Sequence, residues 1–333
     1  MQELRKPPSL LSRQSRNMLT EMENDSVHCS FIIDSPVRRF SMYPTNVAML
    51  ALNCIFCLTS TLQNLPVIAA ILKTRSLQTP SNVLLCSLAV TDLTAGCVVH
   101  PIFIAFKAQL LHGHFWCTLV LFKEGMIIYT GVLSMLTLLA ISLERLIALR
   151  MHLRYNEFVT VRRVLSVVSI TWLSWGLVVC AWPLGLGIYI VSLFSVVIII
   201  VIAIVLAVVC AIIFRILRRH QRVIRDQTQL QPEEARTLSH NRKSSAAILY
   251  VVVLFFIFYS PCVFATIRFN ITKDFSIDQN ILWDVVTTVA LMNASVNPML
   301  YYWKMGNIRR AVKRLLFVNQ VELIHRGNDI STC

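Results

Sequence analysis

The residues whose types and spacing could do chemistry all lie in or beside long apolar runs. Asp92, at the end of Leu88-Ala-Val-Thr-Asp92, places an ionisable side chain in the middle of one such run. A charge at that depth in a bilayer costs about 2.5 to 3.5 kcal/mol on insertion scales and calls for a partner. Counted along their own runs, Ser134, Asn293 and Asn297 reach the same depth and offer oxygens. Hard oxygens around a carboxylate suit a small cation. A polar cluster bridged by water, with no ion, is the plain alternative. Glu144 and Arg145 close the uninterrupted apolar stretch that starts at Ser134. Such a pair marks a water boundary, and if exposed it contributes about 0 to 1 kcal/mol. Asn297-Pro298 and Pro261 each interrupt an apolar run. A proline removes an internal hydrogen bond and kinks the helix, which gives its end a hinge. Tyr301 can swing with the first hinge, and Phe255 and Tyr259 precede the second. Lys123 and Glu124 either contact a polar ligand or snorkel to the membrane interface.

These residues need a membrane-spanning scaffold, and the composition supplies one. Of 333 residues, 56% are hydrophobic and 14% charged, and mean hydropathy is +0.65, far from a soluble domain. Seven runs are each long enough to cross a hydrocarbon core of about 30 Å with about 20 residues. They fall near 47–72, 81–109, 116–149, 163–184, 188–217, 244–268 and 282–303. No run shows the alternation of a barrel strand. The expected fold is therefore all-α, a seven-transmembrane helix bundle. Residues 1–46 form an N-terminal tail, 47–303 the bundle and 304–333 a second tail. In that second tail, 304–317 sets Ile308, Val312, Leu315 and Leu316 against Arg309, Arg310, Lys313 and Arg314. That pattern predicts a short amphipathic helix lying on membrane lipid.

The formal charge of +14 is not read as a nucleic-acid footprint, because its cations cluster in alternate connections. Lys73 and Arg75 follow the first span, Arg150, Arg154, Arg162 and Arg163 flank the connection after the third, Arg215 to Lys243 surround the one after the fifth, and the final tail is basic. The positive-inside rule then puts the N-terminus outside the cell, against the local pull of Arg38 and Arg39. No leader is visible before the first span. Asn24 and Asn270 open glycosylation sequons on the expected outer side. The ten cysteines are scattered, and Cys54 and Cys57 lie inside a lipid-embedded run as packing residues, so metal and redox chemistry find no support. No nucleophile, metal cluster or phosphate loop is assembled, which argues against an enzyme. The inverted repeats and interrupted helices of a transporter are also missing.

Six markers on separate spans carry a resemblance: Asn64, Leu88-Ala-Val-Thr-Asp92, Glu144-Arg145, Trp172, Pro261 and Asn297-Pro-Met-Leu-Tyr301. Together they resemble the rhodopsin-like (class A) G-protein-coupled receptor family over about residues 47–317. The resemblance implies a plasma-membrane receptor that transduces an extracellular ligand to a heterotrimeric G protein. It implies no cofactor beyond an allosteric sodium ion at Asp92, Ser134, Asn293 and Asn297. It also implies that Arg145 and Tyr301 rearrange on activation. A non-signalling or truncated receptor-like membrane protein that traffics or dimerises is the competing reading.

Departures from the family's pattern bear on the ligand. Ala294 replaces a common hydroxyl residue, Tyr259 stands where Trp is usual, Ile202 takes the place of the fifth span's proline, and Cys210 stands for a tyrosine. Asn241 occupies the place of an acid that would latch Arg145, so a weakly latched resting state is expected. Between Trp182-Pro183 and Ile188 only Leu184-Gly-Leu-Gly187 remains of the second outer loop. The loop cysteine that the family pairs with the third span is therefore missing, which leaves Cys29 to Cys117 as a candidate bond. Ile127 stands where amine receptors carry an acid, which disfavours an amine, and the seventh span has no lysine for retinal.

Overall fold

A computed structural model of the chain describes residues 27–29, 32–34, 36–151, 154–181, 188–226, 232–272 and 276–316. Asn24, the 182–187 connection, and the side chains of Cys29, Arg222, Arg225, Asn241 and Tyr301 lie outside the described residues. A short antiparallel hairpin, β1 (Val27–Cys29) and β2 (Ile32–Asp34), precedes the helices and pairs Val27 with Asp34. This hairpin departs from the wholly helical expectation and stands before the bundle.

The helices follow in order: α1 (Pro36–Ser41), α2 (Tyr43–Lys73), α3 (Pro80–Leu111), α4 (Cys117–Arg150), α5 (Tyr155–Phe158), α6 (Val161–Ala181), α7 (Ile188–Asp226), α8 (Pro232–Thr272), α9 (Ile277–Lys304) and α10 (306–316). Local chemistry fixes several ends. Thr79 caps α3 by accepting from the Asn82 amide at 3.3 Å, with Pro80 at the first helical position. Pro101 lacks the N–H that would continue the ladder, and a π-turn over Ala95–Val99 absorbs the defect just before it. At Gly96 an added Cβ would come within 2.8 Å of Thr61 Oγ1, so only glycine lets α2 and α3 approach there.

Among the described residues six helices are long and apolar enough to cross a membrane: α2, α3, α4, α6, and parts of α7 and α8. The seventh, α9, is 28 residues long but polar. Its Gln279, Asp284, Asn293 and Asn297 are all buried, so that polarity points into the bundle rather than at lipid. Outward positions such as Leu62, Leu173, Leu177 and Ile204 are exposed apolar side chains, as a lipid solvent requires.

The helix α4 is central and packs on α3, α6, α7 and α8, while α2 leans on α3 and α9, and α8 on α9. The largest core joins Leu85, Leu88, Leu138, Ile141, Val252 and Phe255. Ile308 and Val312 of α10 enter the same core while Arg309, Arg310, Lys313 and Arg314 stay exposed. Polar ties fix α2 against its neighbours: Asn64 Nδ2 donates to Ala294 O at 3.0 Å, and Ser60 Oγ to Asp92 O at 2.8 Å. Helices α7 and α8 run past the expected spans, and α7 continues as a helix through Arg215, Arg218 and Arg219, as the sequence pattern implies. One expectation is corrected. Asn270 sits in the last turn of α8, not in an outer loop, and its amide donates to Thr266 O at 3.0 Å.

Candidate functional site

At one end of α4, Glu144 and Arg145 form an ion pair at 3.1 Å between Oε2 and Nε. The sequence left this pair at an exposed boundary, but Glu144 is 4% and Arg145 9% exposed. The carboxylate is held on both oxygens. Ser81 of α3 donates to Oε2 at 3.0 Å, and Tyr155 of α5 donates to Oε1 at 2.5 Å. The Tyr155 hydroxyl is pushed above the usual tyrosine range, first by burial and then by this bond to the carboxylate. It therefore remains a proton donor throughout the neutral range. Neither Ser81 nor Tyr155 was visible as a site residue in the sequence. Ser81 opens the second apolar run and Tyr155 lies between runs, and their partner is 63 and 11 residues away.

Deeper in the bundle, Asp92 is 2% exposed and accepts from Asn297 Nδ2 at 2.9 Å. A small cavity of about 10 Å³ lies against Asp92, Thr130, Ser134, Tyr259, Ala290 and Ala294, about the least space that holds one water. The structure thus brings Asp92, Ser134 and Asn297 together. Asn293 is buried but does not line this cavity, and its Oδ1, like that of Asn297, has no hydrogen-bond partner among the described residues. Asn297 does not line the cavity either, but its orphaned Oδ1 belongs to the amide that holds Asp92, and an unpartnered oxygen there fits a small cation better than a closed hydrogen-bond network. Among the described residues no group of three or more His, Cys, Asp or Glu could hold a metal.

Above that cavity Tyr259 stacks on Phe255, with ring centroids 3.9 Å apart and planes at 10°. Tyr259 also lines a second, larger cavity of about 110 Å³ in the half of the bundle away from Glu144. Its floor is mostly apolar, and α4 contributes Glu124, Ile127, Ile128 and Gly131 to it, positions that share one helical face. Pro261 sits half a turn beyond Tyr259 in α8, and Pro298 directly follows the Asn297 that holds Asp92.

Beside the larger cavity lies a charge cluster in which Lys123 and Glu124 are joined by a pair the sequence did not reveal, Lys107 and Asp284. Lys107 reaches Asp284 at 2.5 Å and Asn46 Oδ1 at 3.0 Å, and Lys123 reaches Glu124 at 2.5 Å. Both ammonium groups also lie over the rings of Phe103 and Phe106. Lys123 is fully buried and Glu124 2% exposed, which rules out snorkelling for this pair. Charges taken this far out of water persist only when paired, and two acids here balance two bases. A polar relay runs nearby, from Thr288 through Asn53 to His100 Nδ1 at 3.1 and 2.8 Å. Cys117, at the start of α4, is disulfide-bonded.

An inward-facing polar seam, proline-broken α8 and α9 and a buried charge pair at one end define a multi-pass membrane protein of the seven-helix kind. Over residues 63–189 the chain matches the family described as 7 transmembrane receptor (rhodopsin family). It is 32% identical over 169 residues to the 5-hydroxytryptamine receptor 1B of Spalax ehrenbergi, a stretch covering 50% of this chain and 42% of that protein. Against the octopamine receptor 1 of Lymnaea stagnalis it is 32% identical over 133 residues, covering 39% of this chain and 20% of the relative. For the alpha-2B adrenergic receptor of Echinops telfairi the figures are 32% over 126 residues, 38% and 33%. The chain therefore spans less than half the length of each of these relatives in the matched stretch. Over that stretch it is similar to the rhodopsin-like family of seven-transmembrane receptors.

Proposed function

We propose that the chain is a plasma-membrane receptor that transduces an extracellular ligand to a heterotrimeric G protein. One observation carries the reading: a single helix, α4, lines the larger cavity through Glu124 and Ile127 and ends in the buried Glu144–Arg145 pair. Ligand energy spent at the cavity can then bias the pair only by changing how other helices pack on α4, a population shift between two arrangements. The N-terminus lies outside the cell, which follows from the basic connections and leaves the cavity facing the extracellular side. Asp92, Ser134 and Asn297 hold an allosteric sodium ion, a reading supported by the unpartnered Oδ1 of Asn297, whose amide holds Asp92. Sodium supplies charge balance to Asp92; Asn297 orients the carboxylate, and Ser134 adds a hydroxyl to the same cavity.

The relatives are named for amines, and this weighs against excluding an amine from Ile127 alone. The short connection between Ala181 and Ile188 favours a second reading, a receptor-like protein that reaches the surface without signalling. Surface delivery followed by a ligand-free panel of G-protein subtypes separates the two. The receptor reading expects a basal signal that Arg145→Ala abolishes. Full surface delivery without a signal from any subtype, with or without candidate ligands, supports the second reading.

A further inference from the structure

A cavity of about 470 Å³ lies between the connection that follows α2 and one face of α10. Lys73, Thr74 and Ser76 line it from one side, and Asn307, Arg310 and Arg314 from the other. Both walls are fixed. The connection closes as a 3-10 turn over Arg75–Leu77, Leu77 is buried in the largest core, and Asn82 Nδ2 donates to Leu77 O at 2.9 Å. Opposite, Ile308, Ala311 and Val312 anchor α10 in the same core. Arg310 is braced along its own helix, with Nη2 donating to Asn307 Oδ1 at 2.7 Å. The space is therefore preformed, and its volume falls within the range of about 300 to 1,000 Å³ that small-molecule sites occupy.

Its chemistry is one-sided. Lys73, Arg310 and Arg314 line it, none of the described acids does, and none of those acids pairs with any of the three. Thr74, Ser76 and Asn307 add neutral donors. Guanidinium groups bond phosphate oxygens bidentately, and a headgroup with a single charge would leave most of this positive charge unanswered. The neighbouring surface says what carries the phosphates. Leu58, Leu62, Leu65 and Leu72 are exposed on one face of α2, in a stripe that runs down to Lys73. Such a stripe faces acyl chains, so the cavity stands at the level where headgroups begin.

We infer that this cavity binds the headgroup of a polyphosphorylated inositol lipid, with Lys73, Arg310 and Arg314 holding its phosphates and the leucine stripe of α2 its chains. In a cell the inference rests on the receptor reading, which puts the cavity on the cytoplasmic side, but purified chain in neutral detergent exposes both ends. Binding to the full chain is measured for dioctanoyl phosphatidylinositol bisphosphate, dioctanoyl phosphatidylserine, free inositol trisphosphate and a phosphoserine peptide. The salt is held at about 0.15 M, where the screening length is about 8 Å. The bisphosphate lipid is expected to bind at least about tenfold more tightly than each of the other three. Lys73→Gln/Arg314→Gln should weaken it about tenfold or more. Arg309→Gln/Lys313→Gln removes as much charge from the same region but outside the cavity, and should change binding less than about twofold. All four side chains are exposed, so both double variants should fold. Equal losses in the two would mean diffuse attraction and overturn the site. So would phosphatidylserine, inositol trisphosphate or the peptide binding as tightly as the bisphosphate lipid, or no binding of that lipid. No G protein enters this readout, so a chain that binds the lipid but never signals would sink the proposed function and leave this site standing.

Discussion

Replacing Lys107 by Met removes one member of an ion pair that is almost wholly out of solvent. Its ammonium lies 2.5 Å from Asp284, with side-chain exposures of 1% and 7%. It also donates to Asn46 and packs on two aromatic rings. At an exposed site such a pair is worth little, but here the lost partner leaves a carboxylate buried on α9 with no cation of its own. Breaking a buried pair from one side costs about 3 to 5 kcal/mol. At about 2 to 4 °C per kcal/mol for a chain of this order, Tm should fall by about 6 to 20 °C. Asp284→Leu should cost a similar amount, because it strands the ammonium of Lys107 between Phe103 and Phe106. The double variant Lys107→Met/Asp284→Leu removes both charges and fills the space with apolar atoms, so it should return to within about 1 kcal/mol of wild type. Thermal unfolding of the four proteins in one detergent, read as a double-mutant cycle, measures the coupling. Additive losses, with the double variant falling by the sum of the two singles, would refute the claim that the pair and not the packing dominates. So would singles that melt with the wild type.

Four further outcomes are expected. Tyr155→Phe removes a donor from Glu144; discounted for the half-exposed ring, the bond is worth about 1 kcal/mol, and ligand-free signalling per surface receptor should rise about fivefold if the bond belongs to the resting state. Because the hydroxyl titrates above its usual range, the donor is fully present below the ordinary tyrosine value and is lost only as pH rises through the raised one, so wild-type basal signalling should be flat from about pH 6 to 8; a titration centred in that window would contradict the assignment. Exchanging sodium for potassium at constant ionic strength should raise wild-type basal signalling and leave Asp92→Asn unmoved, and an equal response in both proteins would remove the ion from Asp92. Cys117 is disulfide-bonded while Cys54, Cys57, Cys86, Cys97, Cys180, Cys210 and Cys262 are free, so peptide mapping without reduction should recover Cys117 joined to the N-terminal Cys29, and recovery of Cys117 joined to Cys333 instead would defeat that pairing.

The scaffold was readable because a bilayer imposes one strong rule: about 20 apolar residues per crossing. Asp92 and Asn297 were readable for the complementary reason, since polar groups at that depth are costly and must meet. What escaped were partners whose meaning depends on distance across the fold. Lys107 and Asp284 are 177 residues apart, and each alone looks like a charge at the end of a span. A usable signal existed in that two opposite charges occupy comparable depths on the second and seventh spans. Gln279 offered less, because a glutamine near a helix start is unremarkable until the side chain is found buried without partners. Lys123 and Glu124 were ambiguous in sequence because a long side chain at a span end can reach either water or its neighbours; packing under Phe103 and Phe106 decided it.

The route from cavity to charge pair is constrained by what α4 cannot do. Glu124 and Glu144 are twenty residues apart on one helix, about 30 Å at 1.5 Å per residue, and α4 contains no proline over Cys117–Arg150. An unbroken helix packed on four neighbours transmits little by bending. Prolines lie within α2 at Pro66, α3 at Pro101, α8 at Pro261 and α9 at Pro298, and Pro261 gives α8, which packs on α4, a pivot. Tyr259 sits at that pivot, touching the larger cavity on one side and the Asp92 cavity on the other while stacked on Phe255. On the proposed reading, a ligand that crowds Tyr259 must therefore disturb the ion cavity before anything reaches Arg145. Gly131 sharpens the point: a Cβ there would stand 3.5 Å from the Tyr259 ring, in ordinary contact, so Gly131→Val would press the ring towards Phe255 from the α4 side. Such a variant should alter basal signalling and sodium sensitivity together. A change in one without the other would separate the ring from the ion and break the chain of contacts at that step.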